Sequence, residues 1–273
     1  DESGPQRNKE AREDSLKMAE AQLLQSKIEF EVTATAETDP TQAEIGEDAA
    51  DDPAIWVNTT DPANSLVIGT HKGKGLYVYD LAGKEKQFVM CGRVNNVDLR
   101  DGFMVENKPK ALVAASNRTK NTVSLFLLDP ENLHLSDPVT DLKSDVDEIY
   151  GLCMYKDKQG RFYVFANGKD GNVEQWEIKQ EEEKITGEVV RKLKVNSQPE
   201  GMVVDDEDNT FYIGVEEEGI FFGNAGPDAS ADLTMIKGSS DKNSDIAFDI
   251  EGLTIYKTGT YNLLIASSQG SFS

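Results

Sequence analysis

The chain has 273 residues, 38% hydrophobic and 29% charged, with 50 Asp and Glu against 28 Lys and Arg and a formal charge of −22. No apolar run approaches the roughly eighteen residues that cross a bilayer, and a field of this sign repels nucleic acids and anionic membranes unless cations intervene. The acid surplus is open to two readings: a solubilising surface, or, where carboxylates cluster in space, a cation-binding device.

Residues 1 to about 26 are polar, with Leu16, Met18, Ala19, Leu23 and Leu24 at helical spacing. A Thr/Glu/Ala/Pro-rich stretch follows, so residues 1–46 are expected to form a short helix and a linker. The helix reads equally as the end of an upstream module or as an amphipathic tail. The chain begins at Asp1 with no visible signal peptide, as a processed or partial chain would.

From Asp51 the texture changes to short β-branched and aromatic runs separated by turn residues, repeating about every fifty residues. Five phrases open the repeats: Asp51–Trp56, Asn95–Leu99, Asp147–Leu152, Pro199–Val203 and Ile250–Tyr256. A second strand follows each, at Leu66–Gly69, Ala111–Ala115, Phe162–Ala166, Phe211–Val215 and Leu263–Ala266. The first four units add a third strand, at Leu76–Tyr79, Val123–Leu128, Val173–Ile178 and Ile220–Phe222, and weaker fourth strands such as Val189–Val195. Four strands per repeat predict an all-β fold of the β-propeller type over residues 47–273, with four blades and the first half of a fifth. An open arc exposes sheet edges, so the propeller is expected to be incomplete at its C-terminus.

In an up-and-down sheet, the start of strand one and the end of strand two lie at the same edge. The strand-one starts carry Asp51, Asp52, Asn96, Asp98, Glu148, Glu200, Asp249 and Glu251, an expected ring around the channel. Crowded carboxylates repel unless protonated or bound to metal. All-oxygen donors without a His or Cys cluster favour Ca²⁺. The strand-two ends carry Lys72, Arg118 and Lys169, so three successive units place a cation beside the acids and suggest an oxyanion site, with phosphate as the natural ligand.

Other patterns are set aside. Gly73-Lys74-Gly75 lacks the spacing of a phosphate loop. His71 and His134, the only histidines, sit far apart. Trp56 and Trp176 read as core, and Glu181–Glu183 as a solvated hairpin tip. Cys91 and Cys153 read as two buried thiols rather than a disulfide framework.

The stretches Asp48–Trp56, Asn95–Asp98, Ala115–Arg118, Asn196–Gly201 and Asp249–Tyr256 resemble, in order, those of the β-propeller phytases, over about residues 47–270. The resemblance implies a six-bladed propeller that uses several Ca²⁺ ions to bind phytate phosphates and activate a water for attack on phosphorus. It implies calcium ligation by Asp51, Asp52, Tyr150, Glu200, Glu216, Asp249 and Glu251, assisted by backbone oxygens such as that of Val97. It assigns phosphate contacts to Lys72, Arg118, Tyr150 and Lys169, with Glu216 holding the attacking water. Phytate and lower inositol phosphates are the implied partners of a secreted or periplasmic monomer, with no nucleic acid or membrane partner. Val215 stands where relatives often carry an acid, and the family's remaining ligands lie beyond Gln269-Gly270. A non-catalytic, calcium-stabilised propeller that binds phosphorylated ligands is the main alternative, and a propeller lactonase the third.

Overall fold

The computed structural model describes residues 23, 26, 30, 32–44, 47–216, 218–240 and 250–268. Most of the expected N-terminal helix, and Asp249 among the expected ligands, lie outside them. The strands fall where β-branched and aromatic runs allow both faces to be buried. The first sheet pairs β1 (Ala50–Trp56), β2 (Leu66–His71), β3 (Gly75–Asp80) and β4 (Glu85–Met90) in chain order. The second contains β5 (Val94–Val105), β6 (Lys108–Asn117), β7 (Thr122–Asp129), the short β8 (His134–Leu135) and β9 (Thr140–Lys143), the last two both pairing with β7. The third is β10 (Ile149–Lys156), β11 (Phe162–Gly168), β12 (Asn172–Glu181) and β13 (Lys184–Lys194). The fourth is β14 (Pro199–Asp205), β15 (Thr210–Val215), β16 (Gly219–Asn224) and β17 (Thr234–Met235), and the hairpin β18 (Ile250–Lys257) with β19 (Asn262–Ser268) follows. All these pairings are antiparallel, and the four sheets and half-sheet match the expected blade count.

Each core lies between consecutive blades. Trp56, Ile68 and Leu76 of the first pack with Val113, Phe126 and Leu128 of the second. Leu112 and Leu125 of the second meet Val164 and Trp176 of the third, and Phe165 of the third stacks on Phe211 of the fourth at 4.4 Å between ring centroids. Face-to-face stacking of successive twisted sheets is the propeller architecture. The β18–β19 hairpin leaves Leu263 and Ile265 about half exposed. Both cysteines are buried free thiols, Glu182 sits in an exposed tip, and no described helix is long and apolar enough to cross a membrane.

One irregularity recurs in all five inner strands. Between Ala50 and Pro53, Val94 and Val97, Ile149 and Leu152, Pro199 and Met202, and Ile250 and Leu253, the first strand advances three residues while its partner advances two. Each is a β-bulge, which turns two consecutive residues out of the ladder. The displaced amides find side-chain acceptors on the second strand: Asp52 N–H donates to Thr70 Oγ1, Asn96 N–H to Ser116 Oγ, and Gly151 N–H to Asn167 Oδ1. Without them the bulges would bury unpaired donors.

Candidate active site

The bulges define the site. Their residues Asp51 and Asp52, Asn95 and Asn96, Tyr150, Glu200 and Gly201, and Glu251 and Gly252 line one cavity of about 450 Å³, with Asp48, Pro53, Lys72 and Ser267. Glycine at 201 permits close approach of the next blade, because a Cβ there would collide with the Glu251 carbonyl. Four inner strands, and the first strand of the two-stranded sheet, thereby crowd acids, amides and Tyr150 around one basin.

The outer rim comes from a second repeated position. Lys72, Arg118, Lys169 and Glu216 each follow directly on the second strand of their sheet. Each backbone N–H donates to a carbonyl preceding the inner strand: Lys72 to Ala49 (2.8 Å), Arg118 to Arg93 (2.7 Å), Lys169 to Asp147 (3.1 Å) and Glu216 to Gln198 (3.0 Å). Four blades thus present Lys, Arg, Lys and Glu at one structurally equivalent position. Tyr150 joins two of the cations: the Arg118 guanidinium lies 5.4 Å and the Lys169 ammonium 5.1 Å from its ring centroid, within the range of cation–π attraction. The Lys72 ammonium is 2.7 Å from Asp48 and 3.3 Å from Asp51.

The electrostatics are those of excess negative charge. Burial pushes Asp52 up to about 7, opposed by the hydrogen bond its Oδ2 accepts from Val97 N–H (2.9 Å) and reinforced by Asp98 and Asp51. Burial also raises Glu200 to about 7, with Glu251, Glu216 and Asp51 adding repulsion. Asp51 is raised by burial despite Lys72, and the Tyr150 hydroxyl is pushed up to about 12, by burial first and then by Glu200. Burial pulls the Lys72 ammonium down, but Asp48 and Asp51 outweigh it and hold it above its usual value. Desolvated carboxylates that repel one another are what an added cation relieves.

The donors fit such a cation. They are hard oxygens, and the buried Asn95 Oδ1 has no hydrogen-bond partner, leaving a ready acceptor among the carboxylates. Among the described residues no three Asp, Glu, His or Cys side chains close into a ready-made cage; the acids are spread around a basin instead.

Of the expected residues, Asp51, Asp52, Tyr150, Glu200, Glu251 and Lys72 line the cavity. Arg118 and Lys169 flank Tyr150, Glu216 is close enough to raise Glu200, and Val97 meets Asp52 through its N–H. Two members of the expected ring need correction. Asp98 lies past its bulge and turns to Arg100 (3.0 Å) and the Met154 N–H (2.7 Å). Glu148 precedes β10, adopts a φ of 46°, and is exposed 3.9 Å from Lys169. Asn95 and Asp48 were not among the expected site residues; the bulge register and the cavity reveal Asn95, and the cavity alone reveals Asp48.

The chain is thus an all-β propeller with an oxygen-rich basin at its inner-strand starts and cations at its rim. A sequence model of the phytase family matches residues 11–273. A 3-phytase of Bacillus subtilis (strain 168) is 40% identical over 261 residues, covering 93% of this chain and 67% of the relative. The chain belongs to the phytase family. Among solved structures, a functionally unknown protein from Desulfotomaculum acetoxidans aligns with TM-score 0.50 and 16% identity, covering 70% of this chain and 56% of that one. A chain in the crystal structure of BBS1N in complex with ARL6DN, soaked with lead, aligns with TM-score 0.52 and 12% identity, covering 89% and 66%. Identities this low are likenesses of fold alone.

Proposed function

We propose that the protein is a calcium-dependent phosphomonoester hydrolase that releases phosphate from phytate, myo-inositol hexakisphosphate, and from lower inositol phosphates, as a secreted monomer. The observation that carries this is the repeated rim position, which reads Lys72, Arg118, Lys169 and Glu216 around the bulge carboxylates. Lys72, Arg118 and Lys169 bind the non-bridging oxygens of a phosphate ester and lower the repulsion that keeps a nucleophile from anionic phosphorus. Tyr150 orders two of these cations with its ring, and its hydroxyl, protonated at neutral pH, donates to a phosphate oxygen. Glu216 orients a water in line with the scissile bond. The water oxygen bonds to phosphorus as the ester P–O bond breaks, a water proton passes to the Glu216 carboxylate, and the departing inositol oxygen takes a proton from solvent.

Asp51, Asp52, Tyr150, Glu200, Glu216, Asp249 and Glu251, with Asn95, would hold the calcium. When bound, calcium neutralises the basin and lowers the pKa of a water in its shell.

The test is phosphate release from phytate by this chain in EDTA and after restoring calcium chloride, for the parent and Lys72→Met. Release that EDTA abolishes, calcium restores and Lys72→Met reduces at least tenfold is expected. The same assay on a chimera carrying the remaining third of the Bacillus subtilis relative separates an incomplete basin from a non-catalytic one. A folded chimera that binds phytate in calcium but releases no phosphate would overturn the hydrolase assignment in favour of a binding propeller.

A further inference from the structure

Asp48 lines the basin but sits on no bulge and at no rim position. Its Oδ2 lies 2.7 Å from the Lys72 ammonium, closer than the 3.3 Å of Asp51. The two carboxylates differ in freedom: the Asp48 side chain is 78% exposed and that of Asp51 only 32%. Asp51 is held by its bulge, whereas Asp48 can swing into solvent at little conformational cost. The backbone keeps it in reach, because Lys72 N–H donates to the Ala49 carbonyl one residue on.

We propose that Asp48 is a displaceable internal counter-ion, occupying Lys72 while the basin is empty and competing with substrate phosphate for it. The proposal rests on Lys72 being a phosphate ligand. Asp48 then acts through Lys72 and sets affinity: a phosphate must displace a carboxylate before it gains the ammonium. An exposed ion pair is weak, so the competition is expected to be worth only a few-fold in affinity. That is enough to favour a ligand bearing several phosphates, whose other groups hold Arg118 and Lys169 during the exchange.

The test is calorimetric titration of inorganic phosphate at fixed calcium chloride into the parent, Asp48→Asn, Lys72→Met and the double variant, with steady-state kinetics on phytate beside it. Asp48→Asn is expected to tighten phosphate binding by about two- to five-fold and to lower KM while leaving kcat in place. In the Lys72→Met background the same change should have no effect, since the cycle isolates the pair. Phosphate binding no tighter in Asp48→Asn than in the parent overturns the proposal. An equal gain in both backgrounds also overturns it, assigning the effect to the general loss of negative charge. If Lys72→Met leaves phosphate binding untouched, the phosphate-basin assignment fails with it. If Lys72→Met weakens binding while Asp48→Asn is neutral, that assignment stands and only the counter-ion role falls.

Discussion

Asp52 makes the demand of the basin for a cation measurable as stability. Its carboxyl is raised from 3.8 to about 7, chiefly by burial. At about 1.4 kcal/mol per pH unit, that corresponds to about 4 kcal/mol. The unfolded chain releases this proton near pH 4 and the folded chain only near pH 7. The contribution is therefore fully present below about pH 4 and is lost as pH rises through about 7. Glu200, raised from 4.5 to about 7 by burial, adds a coupled share in the same window. In EDTA, the thermal midpoint should fall by about 8–12 °C from Asp52 between pH 4 and 8, taking roughly 2–3 °C per kcal/mol. The assay is differential scanning calorimetry across that range, with the difference between parent and Asp52→Asn cancelling other titrations. Excess calcium chloride should flatten the parent, because cation binding to the folded state is strongest once the carboxylates are ionised. A midpoint in EDTA that falls equally in the parent and in Asp52→Asn/Glu200→Gln would refute the reasoning.

Three further outcomes follow from geometry away from the phosphate contacts. Arg100 uses all of its donors, bonding Asp98, Asp206, the Leu99 and Met154 carbonyls and thereby three consecutive blades. Arg100→Met strands two half-buried carboxylates and should cost about 2–4 kcal/mol in urea unfolding, below the roughly 3–5 kcal/mol of a fully buried pair; a loss under about 1 kcal/mol would contradict the clamp. Gly201→Ala forces a methyl against the Glu251 carbonyl and the Leu253 amide, and should lower both the melting midpoint and calcium affinity; an unchanged calcium isotherm would show that the inner strands yield freely. Burial raises the Cys91 thiol to about 12 and holds the Cys153 thiol well above its usual value, so neither should react with a disulfide reagent at pH 8 until urea unfolds the chain.

The blades were legible because each strand is a short apolar run between turn residues, and Asp51, Glu200 and Glu251 were legible because an acid interrupts the pattern at the same phase of each repeat. The rim cations were legible for the same reason, since Lys72, Arg118 and Lys169 each directly follow a second strand. The bulge was not. One extra residue in a strand leaves no mark in composition, yet it decides which of two neighbouring side chains enters the basin. Asp98, only two positions past Asn96, was therefore expected in the ring but belongs to the Arg100 clamp. Asn95 was passed over for its neighbour Asn96, because the sequence does not tell which of two adjacent amides has a buried Oδ1 without a partner. Val215, where the resemblance implied that an acid could stand, is buried in the core between the third and fourth sheets, one residue before the rim position of Glu216. An acid there would need its own partner in an apolar setting.

A chain with a formal charge of −22 that handles a polyanion needs its positive charge concentrated where the ligand arrives. The repeat achieves this without raising the total. Each of the four full sheets contributes one bulge and one rim residue, so the charge at a single repeated position is presented around the basin rather than across the surface. Three rim cations lie against six carboxylates, Asp48, Asp51, Asp52, Glu200, Glu216 and Glu251, so the protein side of the basin remains negative on its own. Only bound cations reverse that sign. Anion affinity should consequently rise with calcium occupancy until the carboxylates are satisfied, while Asp48, an exposed acid able to turn away, restrains the last step by holding Lys72.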